Sequence, residues 1–540
     1  MQTAARTVPT EPLELHAEVV RLRASLVEST QILAQRDQRI EQLLDYIALL
    51  KRKRFGPSSE RVSPDQLGLF DEAELEALIG ELEQQAPPPA PPQSPPADTP
   101  PKTKPVRRPL PEHLPRVEHI IDLPAAVKEG MGADWRLIGY DAAEQLAIIP
   151  RQPYVIRTLR AKYAPLHADV PGAEQGVIIA PRAPQILPKA LAHSSLLADI
   201  VTAKFVDALP LYRQEKIFAR EGIDLSRQSM AGWLIALDEK LTPLMAAMQS
   251  LLYEGRVLHV DETRLQVLEE PGRTAAQQSF MWVYCGGPPG RPVIFFQYAD
   301  SRSAKVPKAW LRGPPGSDPP LGRLYLVSDG YGAYSSVALE LGLAGHAACW
   351  AHVRRTFVEA AAGRSVNAAA HQMVALIGKL YAVERRLIDA TPAQRQAERT
   401  VHSRPLLDAI KTWLDDKSTK ALPKGLLGTA IAYALGLWPQ LTTFLADGHL
   451  PIDNNPAENA IRPFVVGRKN WLFSGSPRGA QASATLYSLI ESAKANGLEP
   501  RAYLGFLFER LPVATTPGAI AALLPQALTP QDIQPVPSSL

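Results

Sequence analysis

The chain has 540 residues, too many for one hydrophobic core, and a hydrophobic content of 46% that supports about two to four domains. Its net charge of +3 does not by itself select a partner, so the clustering of basic residues carries more weight. Two cysteines, Cys285 and Cys349, exclude a disulfide framework or a four-cysteine zinc site, and no run is apolar enough for a membrane span or signal peptide, so a cytoplasmic protein is expected.

Residues 13–54 read as one long helix. Leu15, Val19, Leu22, Leu26, Ser29, Leu33, Arg36, Ile40, Leu43, Ile47 and Leu50 follow alternating steps of four and three, without internal Gly or Pro. That heptad seam predicts a coiled coil and hence a homo-oligomer, with Ser29 and Arg36 helping to fix register. The helix ends on Lys51, Arg52, Lys53 and Arg54, cations that suit its dipole and can touch phosphate. A short acidic segment occupies 55–85, and thirteen prolines between 86 and 116 mark a semi-rigid linker.

Residues 117–190 are mixed and short-stranded, with 145–150 and 154–163 the clearest strands. Residues 193–252 turn helical, and 211–221, 222–226 and 227–234 have helix-turn-helix spacing, Gly222 suiting the turn and Ser226 an N-cap. The same pattern joins ordinary packed helices.

From 256 the order becomes strands 256–267, 279–286 and 292–298, a crossover helix 303–312, a strand 323–328, a helix 335–341 and a short strand 345–350. Three antiparallel strands followed by helix-linked parallel ones is the order of an RNase H-like fold, in which the first and fourth strands are neighbours. The first, Arg256-Val-Leu-His-Val-Asp-Glu-Thr-Arg264, and the fourth, Arg323-Leu-Tyr-Leu-Val-Ser-Asp-Gly330, both end on acids, so Asp261 falls beside Asp329. Two carboxylates in one strand-end crevice suit Mg²⁺ or Mn²⁺. Glu262 follows Asp261 but takes the alternate side of an extended strand and carries no ligand role. A third acid is Glu458, in the first turn of a helix started by Asp453 or Asn454 and Pro456, beyond a mostly helical insertion. His352, Arg354 and Arg355 after the fifth strand, and Arg462, Arg468, Lys469 and Arg478 after Glu458, rim the acids with cations suited to a nucleic-acid backbone. Trp350 and Phe473 among them read as core.

At these residues the chain resembles the IS66-family transposases, which belong to the DDE (Asp-Asp-Glu) recombinases. The matching stretches are His259-Val-Asp-Glu-Thr263, Ser328-Asp-Gly-Tyr331, His346-Ala-Ala-Cys-Trp-Ala-His-Val-Arg-Arg355, Asp453-Asn-Asn-Pro-Ala-Glu458 and Gly467-Arg-Lys-Asn-Trp-Leu-Phe473. The likeness extends to the leucine-rich start, Arg54-Phe-Gly-Pro-Ser-Ser-Glu60, the 211–234 helices and Gly497-Leu-Glu-Pro-Arg-Ala-Tyr-Leu504. It implies a multidomain α+β protein: coiled-coil helix 13–54, acidic segment 55–85, linker 86–116, mixed module 117–190, DNA-binding helices 193–252, an RNase H-like α/β catalytic core beginning at 253–364, a helical insertion 365–450, the catalytic Glu helix with its basic segment 451–496, and a helical tail 497–540.

The resemblance also implies the chemistry. Asp261, Asp329 and Glu458 would be both the catalytic triad and the ligands of two Mg²⁺ or Mn²⁺ ions. The expected activity is DNA cleavage at transposon ends and transfer of the freed 3′-hydroxyl into target DNA. Terminal inverted repeats, target DNA and accessory proteins of the same element are the expected partners. A nuclease that cuts without joining and an inactive DNA-binding regulator are the alternatives. Cys349 and His352 resemble the Cys-x-x-His element of several DDE transposases; His346, Cys349 and His352 are read as structural or phosphate-facing, since three ligands within seven residues make a poor zinc site. The family usually carries a zinc module with two Cys-x-x-Cys pairs where this chain has 117–170. Those cysteines are absent here, so no structural zinc is expected and an apolar substitute takes its place.

Overall fold

The computed structural model describes residues 152–164, 177–313, 318–362 and 368–534, with helical residues 16, 19–33, 35–36 and 39–40 near the start. The basic cluster Lys51–Arg54, the acidic segment, the proline linker and the expected strand at 145–150 lie outside the described residues. In the N-terminal helical stretch, Val19, Leu22, Leu26, Leu33 and Ile40 of the heptad seam are all exposed. The described residues of 152–183 belong to one compact unit and the other described residues to another. Within the first of these, β1 (Lys162–Tyr163) pairs antiparallel with β2 (Ile178–Ile179), and Arg160 Nη1 donates to the Ala180 carbonyl at 3.0 Å. The strand expected over 154–163 is therefore cut to two residues. Its apolar side chains, Tyr154, Val155, Ile156 and Leu159, are exposed, so alternation of β-formers found no face to bury.

The larger unit is built on a five-stranded sheet in the order β5-β4-β3-β6-β7. Its strands are β3 (Val257–Gln266), β4 (Gln278–Gly286), β5 (Val293–Ala299), β6 (Tyr325–Ser328) and β7 (Gly345–Ala348). The first three run antiparallel, whereas β6 and β7 add in parallel beside β3. The first and fourth strands of the motif are thus neighbours, as the order of elements implies. The fifth strand stops at Ala348 rather than 350, because Cys349 becomes the N-cap of the next helix.

Helices cover both faces, and the short strands read accordingly as continuous apolar runs. Along β6, Leu326 joins one core cluster and Val327 a second, as the two-residue period of a strand requires. The first cluster gathers α1 (Ser194–Phe205), α2 (Leu211–Arg220), α3 (Arg227–Leu252), β3–β5 and helices from the C-terminal third. Gly222 takes φ 77° in the turn between α2 and α3, and the Ser226 hydroxyl caps α3 by accepting from the Ser229 N–H at 3.2 Å. The second helix of this pair is far longer than the spacing alone indicated. Met230, Leu234, Leu237, Leu241 and Leu244 bury one stripe at helical period, while Arg227, Gln228 and Ser229 at its start are exposed.

Between the sheet strands run α4 (Lys305–Arg312) and α5 (Gly332–Glu340), and β7 leads into α6 (Trp350–Ala361). The second cluster then collects α7 (Ala369–Arg386), α9 (Arg404–Ser418), α10 (Leu426–Gly436) and α11 (Trp438–Thr442), while the short α8 (Pro392–Glu398) buries no residue. The chain returns to the sheet through α12 (Asn455–Trp471) and α13 (Pro477–Ala495), and closes with α14 (Pro500–Arg510) and α15 (Pro517–Ala521). Helix α13 also protects the sheet edge. Ser488 and Ser492 accept from the β5 N–H groups of Phe296 and Ile294 at 2.7 and 2.9 Å, removing two unpaired donors from an edge strand.

Candidate active site

The parallel register fixes the first two acids. Val257, Leu258 and His259 pair with Tyr325, Leu326 and Val327, an offset of 68 (325 − 257), which carried on two residues sets Asp261 level with Asp329. Both strands have apolar bodies that stay in the sheet, and both carry a carboxylate just past the β3–β6 ladder: Asp329 after the end of β6, and Asp261 within β3, which runs on beside β4 to Gln266. Gly330 follows with φ 87°, the left-handed region that glycine tolerates, and a Cβ there would lie 2.5 Å from Leu437 Cδ1. Asp329 Oδ1 accepts from the Tyr331 N–H at 2.9 Å, and its carbonyl accepts from the Tyr433 hydroxyl at 2.8 Å.

The third acid arrives through one buried side chain that the sequence reading named only as a helix start. Asn454 is fully buried. Its amide donates to the Val260 carbonyl at 3.0 Å, its Oδ1 accepts from His259 Nδ1 at 2.9 Å, and its backbone N–H points at Cys349 Sγ at 3.2 Å. The Trp350 N–H donates to the Ile452 carbonyl at 3.1 Å. Asn454 thus ties β3, the β7–α6 turn and the start of α12 together, and Glu458 sits in the first turn of that helix. Burial holds His259 neutral, with its pKa lowered to about 4, so a neutral imidazole N–H serves the joint.

Electrostatics link Asp261 to the other acids. Burial pushes the Asp261 carboxyl well above its ordinary range, and the charges of Glu262, Asp329 and Glu458 push it further. Glu458 is also raised, first by burial, with Arg355 opposing and Asp453 and Asp329 adding. Its Oε1 lies 3.4 Å from His352 Nδ1 and its Oε2 lies 4.0 Å from Arg355 Nη2. Neither Glu458 Oε1 nor His352 Nδ1 makes a hydrogen bond, although both atoms are buried. A buried neighbourhood in which the Asp261 and Glu458 carboxyls are both raised, and in which Glu458 has an orphaned oxygen, is short of positive charge. Such oxygen donors have the chemistry of a hard divalent-cation site, but among the described residues the donor atoms that lie within 4.8 Å of one another are those of Cys349, His352 and Glu458, not those of the three acids.

Glu262, expected to face away without a role, is instead part of this neighbourhood. Its side chain is only 1% exposed, forms an ion pair with Arg302 and accepts from the Tyr334 hydroxyl. Arg302 reaches Asp329 Oδ2 at 3.8 Å and lies over the Tyr331 ring at 4.3 Å. Alternation along β3 does send Glu262 to the other side from Asp261, but that side is a packed helix contact rather than solvent. Nothing local in the sequence marks Arg302 or Tyr334 as its partners.

The basic residues divide. His352, Arg355 and Arg462 act on Glu458, the last through its charge. Arg354, half-buried on α6, acts on the buried Tyr381. Arg468 Nη1 donates to Thr263 Oγ1 at 3.4 Å, two residues past Asp261, while Lys469 is exposed. Arg478 is exposed and paired with Glu239 at 2.7 Å. His346 is structural: its ring lies between Ser328 Oγ at 2.8 Å and Ser335 Oγ at 3.0 Å, away from Cys349 and His352 as a ligand group. Trp350 is core, with Nε1 donating to the Leu441 carbonyl at 2.9 Å. Phe473, expected in the core, is 43% exposed. Leu472 leaves α12 at φ 67°, and the chain turns out before Ser474 bridges back to Val267.

Comparison with known proteins gives the family. The family model described as "Transposase IS66 family" matches residues 189–482, more than half of the chain and inclusive of all three acids. "Transposase C of IS166 homeodomain" matches 42–118, and "IS66 C-terminal element" matches 488–526. The uncharacterized protein y4qI of Sinorhizobium fredii is 31% identical across 96% of this chain and 93% of its own length. Two others from that organism, y4jD and y4hP, are 32% and 27% identical, over 77% and 74% of this chain and 80% and 73% of theirs. No solved structure matches. Among the described residues no helix is long and apolar enough to cross a membrane. The three family matches, the first of them over the sheet and its acids, establish that the chain belongs to the IS66 transposase family.

Proposed function

We propose that this chain cuts DNA at the ends of an insertion sequence and joins the freed 3′-hydroxyl to target DNA, with Asp261, Asp329 and Glu458 as the catalytic acids on an RNase H-like core. Membership of a transposase family makes DNA the substrate class and a metal-dependent nucleic-acid enzyme the reaction class. The observation that supports the residue assignment is that the register of two adjacent strands sets Asp261 level with Asp329, and that the charges of Asp329 and of Glu458, on a distant helix, both act on Asp261.

Divalent cations held there, Mg²⁺ or Mn²⁺ by the oxygen donor set, would activate the attacking oxygen and stabilise the leaving one. Asp261, at the centre of the group, faces both other acids and is the natural shared ligand. His352, Arg355 and Arg462 hold the Glu458 carboxylate in place, and Arg302 does the same for Asp329 while clamping Glu262. Arg468 and Lys469, on the last turn of α12, lie beyond Thr263 where the phosphate backbone would leave the crevice. Arg227, Gln228 and Ser229 at the exposed start of α3 are placed for groove contacts in the manner of a recognition helix. The exposed heptad residues of the N-terminal helix call for a second copy.

A pre-cut transposon end offered with target DNA tests the whole reading. The wild-type chain should join it in Mg²⁺, and Asp261→Asn, Asp329→Asn and Glu458→Gln should each lose at least about 10³-fold in rate while binding the end normally. A variant of the three that still joins would remove that acid from the assignment, and cutting without joining would favour the nuclease.

A further inference from the structure

The Cys349-x-x-His352 pair gains a third donor from far away in sequence. Among the described residues, one donor atom from each of Cys349, His352 and Glu458 lies within 4.8 Å of the other two. Cys349 caps α6, His352 is one turn in, and Glu458 projects from the first turn of α12 beside them. We propose that these three side chains form a mixed sulfur, nitrogen and oxygen site for a thiophilic divalent ion such as Zn²⁺, separate in donor chemistry from the all-oxygen site but sharing Glu458 with it.

Three observations support it. His352 Nδ1 and Glu458 Oε1 are buried, lack hydrogen bonds, and face each other at 3.4 Å. Two ligands on a tetrahedral zinc with bonds of about 2.0–2.1 Å sit about 3.3 Å apart, so an ion between them needs almost no movement. The pair is costly as it stands, since an orphaned carboxylate oxygen and a ring nitrogen are left in a poorly hydrated place. Finally, a donor atom of Cys349 falls within the same 4.8 Å set as those of His352 and Glu458, so all three side chains can reach one ion. His352 and Glu458 keep 24% and 14% of their side-chain surface, so an ion has a path in.

On binding, the Cys349 thiol gives its proton to solvent and sulfur bonds the metal, while the Asn454 N–H can still donate to that sulfur. The fourth position is open to water. Soft thiolate and imidazole donors select against Mg²⁺, so the two kinds of ion address different sites. The regulatory consequence rests on Glu458 being the third catalytic acid: zinc here draws Oε1 away from the oxygen site and should inhibit strand cutting. The site itself does not depend on that assignment.

Co²⁺ titration of the full chain tests it, because cobalt reports thiolate ligation by a near-ultraviolet charge-transfer band and tetrahedral geometry by visible bands. One equivalent of Co²⁺ should give both, Zn²⁺ should erase them, and a large excess of Mg²⁺ should not. Cys349→Ser, which keeps an acceptor for Asn454, should abolish the charge-transfer band, and His352→Gln should weaken binding by at least about tenfold. Asp261→Asn should retain the band. A folded wild-type chain without the band, or a band that survives Cys349→Ser and so arises from Cys285, overturns the proposal. Should Asp261→Asn still cut DNA while the band behaves as expected, the catalytic assignment falls and the mixed site stands.

Discussion

Replacing Asn454 with alanine tests how the third acid is brought to the other two. The substitution deletes the donor to the Val260 carbonyl and the acceptor for His259 Nδ1, and leaves the backbone N–H on Cys349 untouched. Asn454 is 0% and His259 7% exposed, so water does not replace either bond. Each buried group left unsatisfied costs about 1–3 kcal/mol, and two of them about 2–6 kcal/mol. Domain stabilities are typically about 5–15 kcal/mol, so the variant should fold but lose a large part of its margin. In urea, with a slope near 3 kcal/mol/M, the midpoint should fall by about 0.7–2 M. DNA cutting measured well below the melting temperature should slow while end binding holds, because Glu458 is carried on the freed helix. Combining Asn454→Ala with His259→Phe should cost less than the sum of the two, since the second change removes the group that the first strands. A midpoint within about 0.2 M of wild type, with cutting intact, would falsify the idea that this side chain sets the acid's position.

Further outcomes follow from the same site. The raised carboxyl of Asp261 means that the folded state holds its proton more tightly than the unfolded chain does, so this group's favourable contribution is present at low pH and is lost as pH rises through the native value. The metal-free protein should therefore melt higher near pH 5 than near pH 8, and added Mg²⁺ should raise the melting temperature more at pH 8; a shift independent of pH would count against carboxylate crowding. Asp261→Asn, which relieves that crowding and keeps an acceptor for the Glu262 N–H, should stabilise the metal-free chain even as it stops the chemistry. Gly330→Ala forces a side chain into the left-handed region against Leu437, and should cost about 1–3 kcal/mol in thermal unfolding and depress cutting through Asp329. Arg302→Met should destabilise the fold, by less than the loss of a fully buried pair because the Arg302 side chain is 43% exposed and Tyr334 still donates to Glu262; Glu262→Gln on that background should recover part of the loss.

The acids were legible because each stands near a local boundary: Asp261 just past the β3–β6 ladder though still within β3, Asp329 directly after β6, and Glu458 in the first turn of α12. The register that joins the first two follows from short, two-sided apolar strands, which leave little freedom of pairing. What the sequence hid is whatever depends on distant partners. The His259–Asn454 bond spans 195 positions, and both residue types occur at many uninformative places. Glu262 looked spare because alternation says which side a side chain takes, not what waits there; Arg302 and Tyr334 supply that. Residues 154–161 had the composition of a strand but find no ladder partner among the described residues, and Phe473 was lost to the core by a single positive φ at Leu472.

The long helical block between Asp329 and Glu458 does more than separate them. Its Tyr433 hydroxyl holds the Asp329 carbonyl, its Leu437 fills the space that Gly330 leaves, and its Leu441 carbonyl anchors Trp350 at the start of the helix carrying His352 and Arg355. It is therefore no optional ornament that evolution or an engineer could trim to reach a minimal nuclease. A shortened chain would keep all three acids in its sequence and lose the scaffold of the second. Substitutions in this block, remote from any carboxylate in a linear map, belong among the first places to seek inactive copies of the element.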